Sequence, residues 1–203
     1  MIPNPLAPPV VLASQSPARA ALLRDAGVSF EAVRSGVDED EVKAGLQAEG
    51  APPRDVADVL AELKAVRVSR RRPGLVIGSD QVLDLDGTVV DKAETLDEAR
   101  DRLLSFRGRA HVLHSAVVVA RDGQPIWREI KSARMHVRDF SDAWLDRYIE
   151  AEGEHLLGSV GCYRLEAEGV QLFSRIDGDY FAILGLPLLG LLDFLRLHGA
   201  LTT

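Results

Sequence analysis

The sequence predicts an α/β protein, and three observations carry that expectation. Val10-Val11-Leu12-Ala13 and Leu75-Val76-Ile77 are short apolar, β-branched runs of the kind that fill buried strands. Stretches at helical spacing separate the first strands, and later strand-like runs meet at Asp86-Gly87 and Asp122-Gly123, the chemistry of two-residue hairpin turns. Leu75 to Leu83 organises the rest: an apolar run reaches Gly78-Ser79, and Asp80 follows directly. As a strand ending at that corner, it would set Asp80 at the strand end, where ligands collect in open α/β sheets, although Gly-Ser-Asp alone also suits an ordinary loop.

Taken in order, Pro8-Pro9 closes a loose N-terminal arm and Val10 to Ala13 forms the first strand. Ser16 is a good N-cap and Pro17 a good first helical residue, so a helix is expected over Ala18 to Ala26, ended by Gly27. Arg19 then lies in the first turn, where a cation opposes the helix dipole. Two readings follow. Strand, Ser14-Gln15-Ser16 and helix N-terminus converge on an anion, or the helix is merely capped and Arg19 is solvated. Phe30 to Val33 reads as a second strand. The acidic run Asp38-Glu39-Asp40-Glu41 is either a solvated helix start or a source of a metal-binding or water-orienting carboxylate. Arg54 to Arg72 is helical, with Val56, Val59, Leu60 and Leu63 as its apolar stripe. Lys64 sits beside that stripe, at the core edge or snorkelling from the flank.

Asp84-Leu85-Asp86-Gly87-Thr88 matches the nucleophile motif of haloacid-dehalogenase-type phosphatases, but strand-forming residues on both sides favour a hairpin turn. Thr95 with Glu98 caps a helix through Leu104, and strands follow over His111 to Ala120 and Gln124 to Val137. His111 and His114 fall on opposite strand faces, so no zinc site is assigned. Ser141 to Glu152 is an amphipathic helix, Tyr163 to Glu166 and Val170 to Phe173 look like short strands, and an apolar helix runs from Gly185-Leu186-Pro187 to Leu197.

The formal charge of −7 argues against a protein that coats nucleic acid, a function needing a broad basic surface. No run approaches the roughly 18 uncharged apolar residues of a membrane span, and the start lacks a signal-peptide pattern, so a cytoplasmic protein is expected. Cys162 is the single cysteine, which excludes an intrachain disulfide and predicts a buried, inert thiol.

One ordered set remains: Ser14-Gln15-Ser16-Pro17-Ala18-Arg19, Lys64, Gly78-Ser79-Asp80-Gln81, Asp91-Lys92, and Gly178-Asp179-Tyr180 before Gly185-Leu186-Pro187-Leu188. In that order it resembles the Maf-type nucleotide pyrophosphatases along nearly the whole chain. The resemblance implies a single domain over residues 1–203, with the mixed α/β sheet shared with inosine triphosphate pyrophosphatases. Two lobes would flank a nucleotide cleft, and the assembly is often a homodimer. It implies hydrolysis of a nucleoside triphosphate to the monophosphate and pyrophosphate with a divalent cation, magnesium or manganese. By the same likeness Ser14, Ser16 and Arg19 bind phosphate, and Lys64 and Lys92 are the two lysines. Glu39 is the acidic residue after the second strand and Asp80 the proton acceptor, the two carboxylates also being the expected metal ligands. Those residue types suit the chemistry, since cations stabilise charge on phosphate oxygens while a carboxylate deprotonates water.

Ala18 stands where the family's first motif arginine is usual, and Ala93 replaces a proline. Gln81 with Glu166 looks like the subgroup acting on 7-methylguanosine triphosphate, where the two can read a base edge. Two other functions stay open: a phosphatase using Asp84, and a non-catalytic nucleotide-binding regulator of cell division, the latter motivated by Ala18.

Overall fold

A computed structural model describes residues 7–202; most of the N-terminal arm lies outside them. Among the described residues seven strands form one mixed sheet. β1 (Val10–Leu12), β2 (Glu31–Ala32) and β3 (Leu75–Leu85) are parallel, in the order β2-β1-β3. Beyond β3 the antiparallel β5 (Ala110–Arg121), β6 (Gln124–Val137) and β7 (Phe173–Asp177) follow, while β4 (Thr88–Val90) pairs with the end of β3. β3 is therefore the seam where the parallel half gives way to the antiparallel half.

The helices are α1 (Pro17–Asp25), α2 (Glu39–Ala48), α3 (Pro53–Ser69), α4 (Leu96–Phe106), α5 (Asp142–Glu152), α6 (Tyr180–Ile183) and α7 (Leu188–Leu197). Their starts follow the sequence closely. The side chains of Ser16, Asp38, Thr95 and Ser141 each accept the N–H three residues on, which satisfies a donor the helix leaves open. Asp86 and Gly87 have φ of 53° and 84°, and Asp122 and Gly123 have 52° and 79°, the pair of positive angles that a type I′ hairpin demands. The Asp84 carboxylate accepts the Gly87 N–H at 2.6 Å. It belongs to that turn, and the hairpin reading of this stretch holds.

Alternation along β3 divides its work between two faces. Val76, Gly78, Asp80 and Val82 face α3, whereas Leu75 and Ile77 join an apolar cluster with Leu23 of α1 and Leu191 and Phe194 of α7. A third cluster, built on Leu103, Phe106, Leu145 and Tyr148, gathers α4 and α5 around Leu83 and Leu113. Gly78 decides how near α3 comes: a Cβ there would lie 2.2 Å from the Ala61 carbonyl oxygen and 2.5 Å from the Ala65 nitrogen.

Two expectations are corrected. Val59 and Leu63 are exposed at 36% and 38%, and the buried stripe of α3 is Val56, Ala57, Leu60, Ala61, Lys64, Ala65 and Val68. Close approach to a glycine selects small residues, so the face turns toward Ala57, Ala61 and Ala65 and away from bulkier Val59 and Leu63. Tyr163 to Glu166 is not a strand either, nor are Val170 to Leu172. Cys162 has φ of 55°, which turns the chain, and Glu168–Leu172 winds into a 3₁₀ turn, so pairing begins only at Phe173.

Candidate active site

A cleft of about 1280 Å³ opens beyond the carboxyl end of β1 and beside the middle of β3. Every site residue expected from the sequence lines it: Ser14, Ser16, Ala18 and Arg19 at the start of α1, Glu39 on α2, Lys64 on α3, Asp80 and Gln81 on β3, Lys92 after β4, and Glu166. Asp84 does not line it.

At its floor lies a buried charge cluster. The Lys64 ammonium, 5% exposed, donates to Asp80 Oδ1 at 2.7 Å and stands 2.8 Å from Glu39 Oε1. α3 brings that lysine inward because its neighbours Ala61 and Ala65 pack on Gly78, two residues before Asp80. Asp80 Oδ2 is buried and has no hydrogen-bond partner among the described residues, so one oxygen of this carboxylate is held by a cation while the other stays open as an acceptor. Burial acts to raise the Glu39 carboxyl, but the charge and hydrogen bond of Lys64, with Lys43 and Arg19 behind it, hold it below the usual carboxylate range.

Arg19 is more firmly built in than a free phosphate clamp. Its Nε donates to the Gly185 carbonyl at 2.9 Å, and its Nη1 to the Ser79 carbonyl at 2.9 Å and to Ser14 Oγ at 3.3 Å. Burial lowers its pKa, and the charges of Asp80 and Glu39 offset part of that. Nη2 makes no hydrogen bond among the described residues, so a ligand meets a single amino group instead of an open fork. Ser14 Oγ also accepts the Ser16 N–H, which curls this loop over the first turn of α1, where N–H groups have no intrahelical partner.

Gln81 is likewise turned to the protein. Its Nε2 lies 2.9 Å from Ser115 Oγ and 3.0 Å from both the Ala182 and Ile183 carbonyls, which leaves the side-chain oxygen for a ligand. Lys92 and Glu166 are exposed on the cleft wall.

Two cations escaped the sequence reading. Lys43 of α2 pairs with Asp91 at 2.9 Å, bridging α2 to the segment that carries Lys92. Burial acts to lower its pKa, yet the hydrogen bond and charge of Asp91 hold it above its ordinary value. Its place four residues after Glu39, on one helix face, was a usable signal. Arg164 also lines the cleft, two residues before Glu166.

Among the described residues no group of three or more His, Cys, Asp and Glu side chains comes close enough to hold a metal ion alone. The donor set does fit magnesium, which takes one or two carboxylates and completes its shell with substrate phosphate oxygens and water. Asp80, with its open buried oxygen, and Glu39 are the carboxylates that would serve. No helix among the described residues is long and apolar enough to cross a membrane.

Comparison with known proteins finds similar chains over nearly the whole length. A nucleoside triphosphate pyrophosphatase of Caulobacter vibrioides is 72% identical over 194 residues, covering 96% of this chain and 98% of the relative. Proteins of the same name from Granulibacter bethesdensis and Rhodospirillum rubrum are 55% and 51% identical, covering 95% and 97% of this chain and 98% of each relative. The family described as Maf-like protein matches residues 9–198. With that span and those relatives, the chain belongs to the Maf-like family.

Proposed function

We infer that the protein hydrolyses a nucleoside triphosphate to the monophosphate and pyrophosphate, with Asp80 as general base. The carrying observation is the divided state of that carboxylate: Lys64 holds Oδ1 while Oδ2 is buried and open beside a cleft lined with cations. The names of the relatives support the same reaction.

In this reading Ser14, Ser16 and the start of α1 seat the phosphates, with Arg19 holding the loop in shape and offering Nη2. A water placed at Asp80 Oδ2 gives up a proton as its oxygen attacks phosphorus. The phosphoanhydride bond breaks, and its electron pair leaves with the pyrophosphate, whose charge Lys92 and Lys64 offset. Lys64 also fixes Asp80 through Oδ1, which leaves Oδ2 free to take the proton. Asp80 and Glu39 would hold a divalent cation, which when bound neutralises phosphate charge and lowers the pKa of water. Glu166 on the cleft wall suits the N–H groups of a guanine-type base, 7-methylguanine included.

The test is Asp80→Asn, assayed with magnesium or manganese against canonical and modified nucleoside triphosphates while pyrophosphate and orthophosphate are measured. The variant should lose at least about 100-fold in rate, and the wild type should release pyrophosphate. Full activity in the variant removes Asp80 from the mechanism, orthophosphate as first product favours a phosphatase, and binding without turnover favours a regulator.

A further inference from the structure

Arg164 is placed with more care than a wall residue needs. Its Nε donates at 2.7 Å to Glu152 Oε2, a carboxylate only 5% exposed at the end of α5. Its backbone is pressed equally close, since a Cβ on Gly169 would lie 2.4 Å from the Arg164 carbonyl oxygen. A buried carboxylate is costly unless it is paired and hydrogen-bonded, so Glu152 holds the guanidinium that pairs with it in one place. Among the described residues the two terminal nitrogens of Arg164 make no hydrogen bond, and the side chain keeps 37% exposure on the cleft. The groups suited to phosphate come from α1, α2, α3, β3 and the Lys92 segment. Arg164 and Glu166 come from a different stretch, and together they offer a planar donor beside an acceptor.

We propose that Arg164, oriented by Glu152, is a specificity-determining residue that donates to the O6 of a 6-oxopurine while Glu166 accepts from its N1–H and, in guanine, from the 2-amino group as well. This rests on the hydrolase reading and narrows it to a substrate class, the guanosine and inosine triphosphates. Adenine reverses the pattern, setting its amino group against the guanidinium and its N1 lone pair against the carboxylate. A 7-methyl group leaves O6 in place, so 7-methyl-GTP stays in the accepted class.

The experiment measures kcat/KM for GTP, ITP, 7-methyl-GTP and ATP with wild type, Arg164→Met, and the double variant Glu152→Gln/Arg164→Met, which leaves no buried charge unpaired. Wild type should favour the oxopurines. Both variants should lose about 10- to 100-fold on them, mainly through KM, with ATP changed less than about twofold. Equal losses on all four substrates, no loss, or a wild type that does not distinguish GTP from ATP would overturn the proposal. A wild type that hydrolyses none of them would overturn the hydrolase reading itself, and the proposal with it.

Discussion

Replacing Lys64 by methionine should unfold the protein far more readily than replacing any surface lysine, and the reason is geometric. At 2.7 Å from Asp80 Oδ1, an effective dielectric of about 20 gives an attraction of about 6 kcal/mol, most of it offset by the desolvation of both ions. Removing the ammonium leaves that desolvation uncompensated at a side chain 7% exposed, for which a loss of about 3–5 kcal/mol is expected. The Glu39 arm adds little, because that carboxylate is 42% exposed and water screens it. At roughly 2–4 °C per kcal/mol for a chain of this size, the melting temperature should fall by about 6–20 °C. Urea denaturation of Lys64→Met, Asp80→Asn and the double variant checks the origin of the loss. The double variant has no orphaned buried charge, so it should be at least about 2 kcal/mol more stable than the sum of the single losses implies. A loss below about 1 kcal/mol in Lys64→Met, or strict additivity in the cycle, would refute the picture of a buried, mutually dependent pair.

Two further outcomes are expected. In Gly78→Ala the new Cβ must retreat from 2.2 Å to about 3.4 Å from the Ala61 carbonyl oxygen, so α3 shifts by about 1 Å and takes Lys64 with it. Activity should then fall about 100-fold even under conditions where circular dichroism shows a folded protein. His111, buried and 2.7 Å from the Tyr163 hydroxyl, has its pKa pushed down to about 4 from 6.5. The unfolded chain takes up this proton first as pH falls, so the contribution is complete above pH 6.5 and vanishes on descent toward pH 4. Wild type should lose roughly 2–3 kcal/mol from this group between pH 7.5 and 4.5. Urea melts at the two pH values should show His111→Gln losing less than wild type by about that amount.

Much of this fold could be read from local chemistry. Ser16, Thr95 and Ser141 announce helix starts because capping is decided within four residues, and Asp86-Gly87 and Asp122-Gly123 announce hairpins because few residues accept two consecutive positive φ angles. The β3 run was legible for the same reason, but Asp80 lies in mid-strand and not at the expected strand end, because pairing with β5 continues to Asp84. What stayed hidden depends on partners distant in sequence. The alanine stripe of α3 makes sense only against Gly78, and the burial of Lys64 only against Asp80. Likewise nothing within Tyr163-Arg164-Leu165-Glu166 tells that Gly169 and Glu152 will bend it away from a strand and fix its arginine. The expected site residues do gather on one cleft, while the orientations of Arg19 and Gln81, both turned to backbone carbonyls, were beyond any motif.

Arg19 has a bearing on how the enzyme comes into being on the ribosome. Its guanidinium stitches Ser79 to Gly185, so the Ser14 to Arg19 loop near the beginning of the chain lacks one of its braces until nearly all of the polypeptide has been made. A nascent chain halted before Gly185 carries the strand, the serines and Asp80, and its Arg19 has the partners Ser14 and Ser79 but lacks the carbonyl that Nε grips. The last brace of this loop therefore comes from the far end of the chain and not from the motif itself.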